Sequence, residues 1–126
     1  MGKLVDFSEL KGKTLLGIEG LEKYNGIVKF ITTNGDIYKM YHAQDCCEEV
    51  YIEDVCGNVD ALIGSEILLA EVVVKMDEGG ALSKYDASYT WTFYKLATTK
   101  GYVTIRWYGT SNGYYSEYVS FIKCEN

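Results

Sequence analysis

The chain resembles itself, and that constrains its fold more than any other feature. Phe7-Ser-Glu-Leu-Lys-Gly-Lys-Thr-Leu-Leu-Gly-Ile-Glu19 aligns without a gap on Val59-Asp-Ala-Leu-Ile-Gly-Ser-Glu-Ile-Leu-Leu-Ala-Glu71, with Leu10/Leu62, Gly12/Gly64, Leu16/Leu68 and Glu19/Glu71 identical. Further on, Ile31-Thr-Thr-Asn-Gly35 aligns on Ala97-Thr-Thr-Lys-Gly101, and Ile37-Tyr-Lys-Met-Tyr-His42 on Val103-Thr-Ile-Arg-Trp-Tyr108. The reading is one domain over residues 1–126, with repeats at 7–55 and 59–123 and an insertion near Met76–Asp86 in the second. Two copies are too few for a solenoid, so the expected arrangement is a pseudo-twofold unit.

Each half opens on a short helical turn, with Ser8 or Asp60 as its N-cap and Gly12 or Gly64 as its stop. A first strand follows at Thr14–Glu19 or Glu66–Lys75. The run Ile67–Val74 is apolar on both alternating faces, the pattern of a central strand covered on both sides. A hairpin comes next: Gly26–Thr32 and Asp36–His42 flank Asn34-Gly35, while Ser88–Thr98 and Tyr102–Gly109 flank Lys100-Gly101. Fourth strands are expected at Glu48–Val55 and Tyr114–Lys123. The sum is an α+β, mainly β fold, with about eight strands in antiparallel sheets and two or three short helices.

Parity sorts the side chains of Tyr102–Tyr108. Val103, Ile105 and Trp107 take the core face; Tyr102, Thr104, Arg106 and Tyr108 take the other. The alignment matches Arg106 with Met40 and Tyr108 with His42, so these strands are expected to end at equivalent rims. Arg106 is the only arginine and His42 the only histidine, so chemistry that needs either has one candidate. Twelve basic and 18 acidic residues give a net charge of −6, which argues against duplex nucleic acid as a partner. No apolar run approaches a membrane span, and the first residues lack a signal-peptide stretch, so a cytoplasmic location is expected.

Two loops carry the residues with chemistry. His42-Ala-Gln-Asp-Cys-Cys-Glu-Glu49 holds an imidazole, carboxylates and two thiols. Adjacent cysteines fit zinc spacing badly, and a bridge between them is disfavoured in a reducing compartment. A Cys–His nucleophile stays open, as does a turn whose cysteines act as small apolar residues. Cys46, Cys47, Cys56 and Cys124 are expected to be free thiols, the adjacent pair pointing to opposite faces with at least one member buried. The second loop, Arg106-Trp-Tyr-Gly-Thr-Ser-Asn-Gly-Tyr-Tyr-Ser-Glu117, pairs exposed amides and hydroxyls with Tyr108, Tyr114 and Tyr115. Such a set can stack a purine and hold phosphate, although it matches no nucleotide fingerprint. In the competing reading Arg106 simply pairs with Glu117 or Glu48.

His42-x-x-Asp45-Cys46-Cys47-Glu48, with Trp91-Thr-Phe-Tyr94 and Arg106-Trp-Tyr-Gly109-x-Ser111-Asn112-Gly113-Tyr114-Tyr115-Ser116, resembles a small phage-encoded domain family of unknown function over roughly residues 10–122. The resemblance implies a viral or prophage origin and a small stand-alone domain. In kind it is similar to the Thoeris anti-defence type-one proteins, which sequester cyclic ADP-ribose-type signals in oligomers without cleaving them. The expected function is therefore a non-enzymatic counter-defence protein that sequesters a nucleotide-derived small molecule in the host cytoplasm. It would work as a homo-oligomer, with no cofactor and no metal. Arg106 would meet phosphate, Tyr108, Tyr114, Tyr115 or Trp91 would stack the base, and Asn112, His42 and Asp45 would read polar edges. The alternatives are a protein–protein inhibitor of a host enzyme, or a Cys/His hydrolase or metal enzyme built on His42, Cys46, Cys47 and Glu48.

Overall fold

Short runs of alternating apolar and polar residues, punctuated by glycines, favour strands over helices, and strands dominate the structure. The computed structural model describes residues 2–78, 88–111 and 116–124. Among these residues nine strands occur in chain order: β1 (Gly2–Leu4), β2 (Leu15–Glu19), β3 (Ile27–Thr32), β4 (Ile37–Tyr41), β5 (Glu49–Gly57), β6 (Leu69–Glu78), β7 (Ser88–Thr98), β8 (Gly101–Ser111) and β9 (Ser120–Cys124). The helical content among the described residues is two four-residue 3-10 turns, η1 (Phe7–Leu10) and η2 (Val59–Leu62). The fold is thus mainly β, as expected, with antiparallel sheets and little helix. The extra strand is β1, three residues that sequence pattern alone leaves indistinct. No helix among the described residues is long and apolar enough to cross a membrane.

The strands form two antiparallel sheets, ordered β1-β9-β4-β3-β2 and β5-β8-β7-β6. The element order turn–strand–strand–strand–strand occurs twice, from η1 to β5 and from η2 to β9. Each half lays its first three strands side by side and sends its fourth to the other sheet: β5 joins β8, and β9 joins β4. Where the halves meet, Thr14 bridges Glu66, its own aligned counterpart. The Gly12 N–H donates to the Ile67 carbonyl at 2.8 Å and the Gly64 N–H to the Leu15 carbonyl at 2.9 Å. The two bonds are reciprocal between residues that the sequence alignment pairs, Gly12 with Gly64 and Leu15 with Ile67. Gly12 and Gly64 both adopt positive φ, +88° and +78°, where a Cβ is disfavoured.

The core lies between the sheets. Phe7, on η1, meets Tyr94 at 4.7 Å, Phe121 at 5.2 Å and Phe30 at 6.5 Å, all edge-on. The Trp107 indole N–H donates to the Met40 sulfur at 3.1 Å, linking β8 to β4 across the core.

Several expectations need correction. Asn58, not Asp60, caps η2: its side chain accepts from the Asp60 N–H at 3.1 Å. At η1 the capping position is Asp6, not Ser8, and no side-chain bond caps the turn. Of the fourth strand expected in the second half, Ser120–Cys124 is observed, and residues 116–119 lie outside any strand. The aligned hairpins differ by one residue. Thr32 pairs back to Asp36 around a three-residue loop, whereas Thr98 pairs directly with Gly101. Phe30 opposes Tyr38 and Leu96 opposes Val103, so Met40 corresponds to Ile105 and His42 to Trp107. Arg106 therefore matches Tyr41, and the equivalence of His42 with Tyr108 is lost, because a one-residue slip moves every side chain to the opposite face. Finally, β6 is not a covered central strand. It is an edge, with Val72, Val73 and Val74 at 46%, 37% and 46% exposure.

Candidate aromatic binding face

On β8 the inward residues Val103, Ile105 and Trp107 are buried, as parity requires. The same alternation sends Arg106 and Tyr108 to the outer face of the four-stranded sheet. Strand register then sets their neighbours. Tyr51, Tyr108, Trp91 and Lys75 stand opposite one another across β5, β8, β7 and β6. The neighbouring row is Asp54, Arg106, Phe93 and Val73.

The rings pack on one another. Tyr108 lies 4.6 Å from Trp91, 6.0 Å from Tyr51 and 6.0 Å from Tyr89, centroid to centroid. Tyr24 extends the row beyond Tyr51 at 5.9 Å. It sits in the left-handed region at φ +67°, held there by its N–H bond to the Ile52 carbonyl at 2.6 Å. Burial among these neighbours pushes the Tyr108 hydroxyl above its ordinary range.

A bulge explains the environment of Arg106. The register of β5 against β8 shifts between Ile52 and Asp54, so Glu53 is the extra residue. Both acids consequently reach one guanidinium: Arg106 Nε donates to Glu53, and Nη2 lies 3.6 Å from Asp54. The guanidinium also sits 5.5 Å from the Trp91 ring centroid. Asp54 further receives the Cys56 thiol at 3.3 Å and faces Lys23 at 3.7 Å. These contacts hold its carboxyl below the usual range, the Cys56 hydrogen bond contributing most. Arg106 is thus paired, but with Glu53 and Asp54 rather than Glu117 or Glu48. A phosphate arriving there would compete with two carboxylates already in place.

His42 and Asp45 belong to a separate arrangement. The Glu48 carboxylate, 3% exposed, accepts the Asp45 and Cys46 N–H groups at 2.9 Å each and the His42 ring at 2.7 Å. The other His42 ring nitrogen meets the Tyr118 carbonyl at 2.7 Å. Both partners are acceptors, so both contacts are hydrogen bonds only when the ring carries two protons. Gln44 closes the loop by donating to the Glu48 carbonyl at 2.7 Å. Burial alone would raise the Glu48 carboxyl, but the Cys46 N–H, the His42 ring and the Asp45 N–H overcome it and lower it from 4.5 to about 2. This loop is a clamp joining β4, β5 and the segment before β9, and His42 has neither nitrogen left to activate a thiol.

The sign of the pH dependence follows. Because the folded carboxyl titrates below its ordinary value, its stabilisation is whole above pH 4.5 and is lost as pH falls towards about 2. The melting-temperature difference between wild type and Glu48→Gln is expected to be largest at neutral pH and to shrink steadily below pH 4.5. A difference independent of pH would contradict the clamp.

The cysteine expectation holds for Cys56 and Cys124 and fails for the adjacent pair. Cys46 and Cys47 are joined by a disulfide and both are exposed, while Cys56 and Cys124 are free. Alternation predicted opposite faces, yet residues 42–48 form a turn rather than a strand, so alternation does not apply. Thiol titration in denaturant should find two reactive groups before reduction and four after. Four before reduction would refute the bond. Among the described residues, no group of three or more His, Cys, Asp or Glu converges as a metal site.

Asn112, Tyr114 and Tyr115 lie outside the described residues. The structure therefore brings together Trp91, Arg106 and Tyr108, and sets His42 and Asp45 apart in the clamp. Sequence reasoning missed Tyr51, Tyr89, Glu53 and Asp54. The alternation Tyr89-x-Trp91-x-Phe93 carried a signal for the first face, whereas the bulge had none.

The family described as Domain of unknown function (DUF7448) matches residues 8–121. No curated protein and no solved structure matches the chain.

Proposed function

We propose that this chain, which belongs to the DUF7448 family, is a non-enzymatic binding protein that engages a protein partner through the outer face of its four-stranded sheet. The observation that carries this reading is the in-register row Tyr51–Tyr108–Trp91, with Arg106 held beside it by Glu53 and Asp54. Tyr, Trp and Arg dominate binding hot spots because they bring large contact area with little conformational freedom to lose. A pre-paired arginine adds directional donors at little ordering cost. In the counter-defence setting that the sequence resemblance implies, the partner is a host enzyme and the encounter takes place in the host cytoplasm.

Sequestration of a nucleotide-derived molecule is the second reading. One observation favours it: Trp91 and Tyr108 lie 4.6 Å apart with a guanidinium alongside, a surface on which a base can stack. Against it stands the neutralised charge, since phosphate would have to displace Glu53 or Asp54 from Arg106.

Affinity capture from host lysate, run beside calorimetry with a panel of linear and cyclic nucleotides, separates the two. The protein reading expects a stoichiometric band that disappears with Trp91→Ala or Tyr108→Ala, while the melting temperature barely moves. Nucleotide binding abolished by the same variants, with no captured protein, would replace it with sequestration. Chemically altered nucleotide would overturn both.

A further inference from the structure

We propose that β6 pairs edge to edge with β6 of a second copy of this chain, antiparallel about a twofold axis at Val73, making one eight-stranded sheet. The inference is independent of what the aromatic face binds. Among the described residues β6 has a strand on one side only, and its register with β7 runs unbroken over ten pairs, from Leu69↔Ala97 to Glu78↔Ser88. Edge strands are normally blunted by proline, a bulge, a short length or charged side chains, and of these β6 carries only charges, at Glu71, Lys75, Asp77 and Glu78. This chain has no proline at all, and β6 is ten residues long without a bulge.

Both faces of the strand call for cover. Val72, Val74 and Met76 share the inner face with Tyr94, Thr92 and Thr90, yet are 46%, 46% and 56% exposed. Val72 and Val74 border a groove of about 340 Å³ whose other wall includes Leu4 and Tyr118, 72% and 53% exposed. On the outer face Val73 is 37% exposed. The continuous apolar run reads in sequence as a covered strand, and pairing with a second copy supplies the missing neighbour.

Charge complementarity selects the register. A twofold axis perpendicular to the sheet keeps outer residues opposite outer residues, so the axis must pass through a residue position. Centred on Val73, it sets Glu71 of each copy against Lys75 of the other, and Val72 against Val74. Centred on Val74 it would place Glu71 against Asp77, and centred on Lys75 it would place that lysine against itself. Cross-strand pairs of opposite charge stabilise, whereas like charges directly opposite repel. The sequence Glu71-Val-Val-Val-Lys75 is self-complementary in one register. The aromatic rows of both copies would then lie on the same side of one sheet.

Light scattering on the full chain, coupled to size exclusion across a concentration series, tests this. Wild type is expected to be a dimer, and Val73→Lys, with two ammonium groups on the axis, a folded monomer by circular dichroism. Glu71→Lys or Lys75→Glu alone should weaken dimerisation by about tenfold or more, and the double exchange should restore it, because each dimer holds the pair twice. In a Cys56→Ser background, Val73→Cys should oxidise to a covalent dimer. A monomeric wild type would overturn the proposal, and would leave β6 to another protein or an apolar ligand. A dimer indifferent to Val73→Lys and to the charge exchange would overturn it equally.

Discussion

Trp107→Ala is expected to lower the free energy of unfolding by about 3–5 kcal/mol, the usual cost of emptying a large aromatic site in a core. Trp107 is 1% exposed, lies opposite Ile52 and Thr92 on its neighbouring strands, and reaches Met40 in the other sheet. Its removal opens a cavity between the sheets and strips the contact that joins them. Urea unfolding should show a lower midpoint with little change in slope. Trp107→Phe should cost less, since it keeps a ring and loses only the N–H donor and part of the volume. Trp91→Ala is the control, on the adjacent strand and the opposite face, where only a small stability change is expected. Equal losses from the two tryptophans would mean that the faces of this sheet are wrongly assigned.

The second large effect is expected at Glu117, which is 6% exposed in the segment before β9. Its carboxylate accepts the Thr90 hydroxyl at 2.7 Å, the Ser111 hydroxyl at 2.5 Å and the Ser88 hydroxyl. Hydrogen bonds to a charged acceptor are among the stronger ones, and removing the acceptor leaves buried donors to be satisfied elsewhere. Glu117→Ala should therefore cost about 3 kcal/mol. Glu117→Gln keeps one carbonyl oxygen and should lose roughly half as much. Space here is equally constrained. A Cβ on Gly109 would fall 2.9 Å from the Glu117 Cβ and 3.0 Å from its carbonyl oxygen, so Gly109→Ala should be destabilising too. Full stability in Glu117→Ala would show that the hydroxyls find other partners, and would release the carboxylate for a role in binding.

What sequence alone determined about this protein was local. Parity along Tyr102–Tyr108 placed Trp107 inside and Arg106 with Tyr108 outside, because successive side chains of a strand must alternate. Asn34-Gly35 marked a hairpin, Gly35 taking φ +94°, and Gly12 and Gly64 marked the ends of the short turns, since glycine accommodates positive φ without strain. Tertiary structure decided everything that depends on which distant strand lies alongside. No periodicity tells β5 to leave its own half for β8, or β9 to join β4, because hydrogen-bonding edges carry no address in the side-chain pattern. An alignment without gaps also hid the extra loop residue that turned the expected partner of His42 from Tyr108 into Trp107. The environment of Arg106 came from a bulge, the His42 clamp from a buried carboxylate 48 residues into the chain meeting the carbonyl side of Tyr118's segment through the imidazole, and the exposure of Val72–Val74 from the place of β6 at the edge. In each case the residue type was legible, while its neighbour was settled by long-range pairing that local chemistry does not encode.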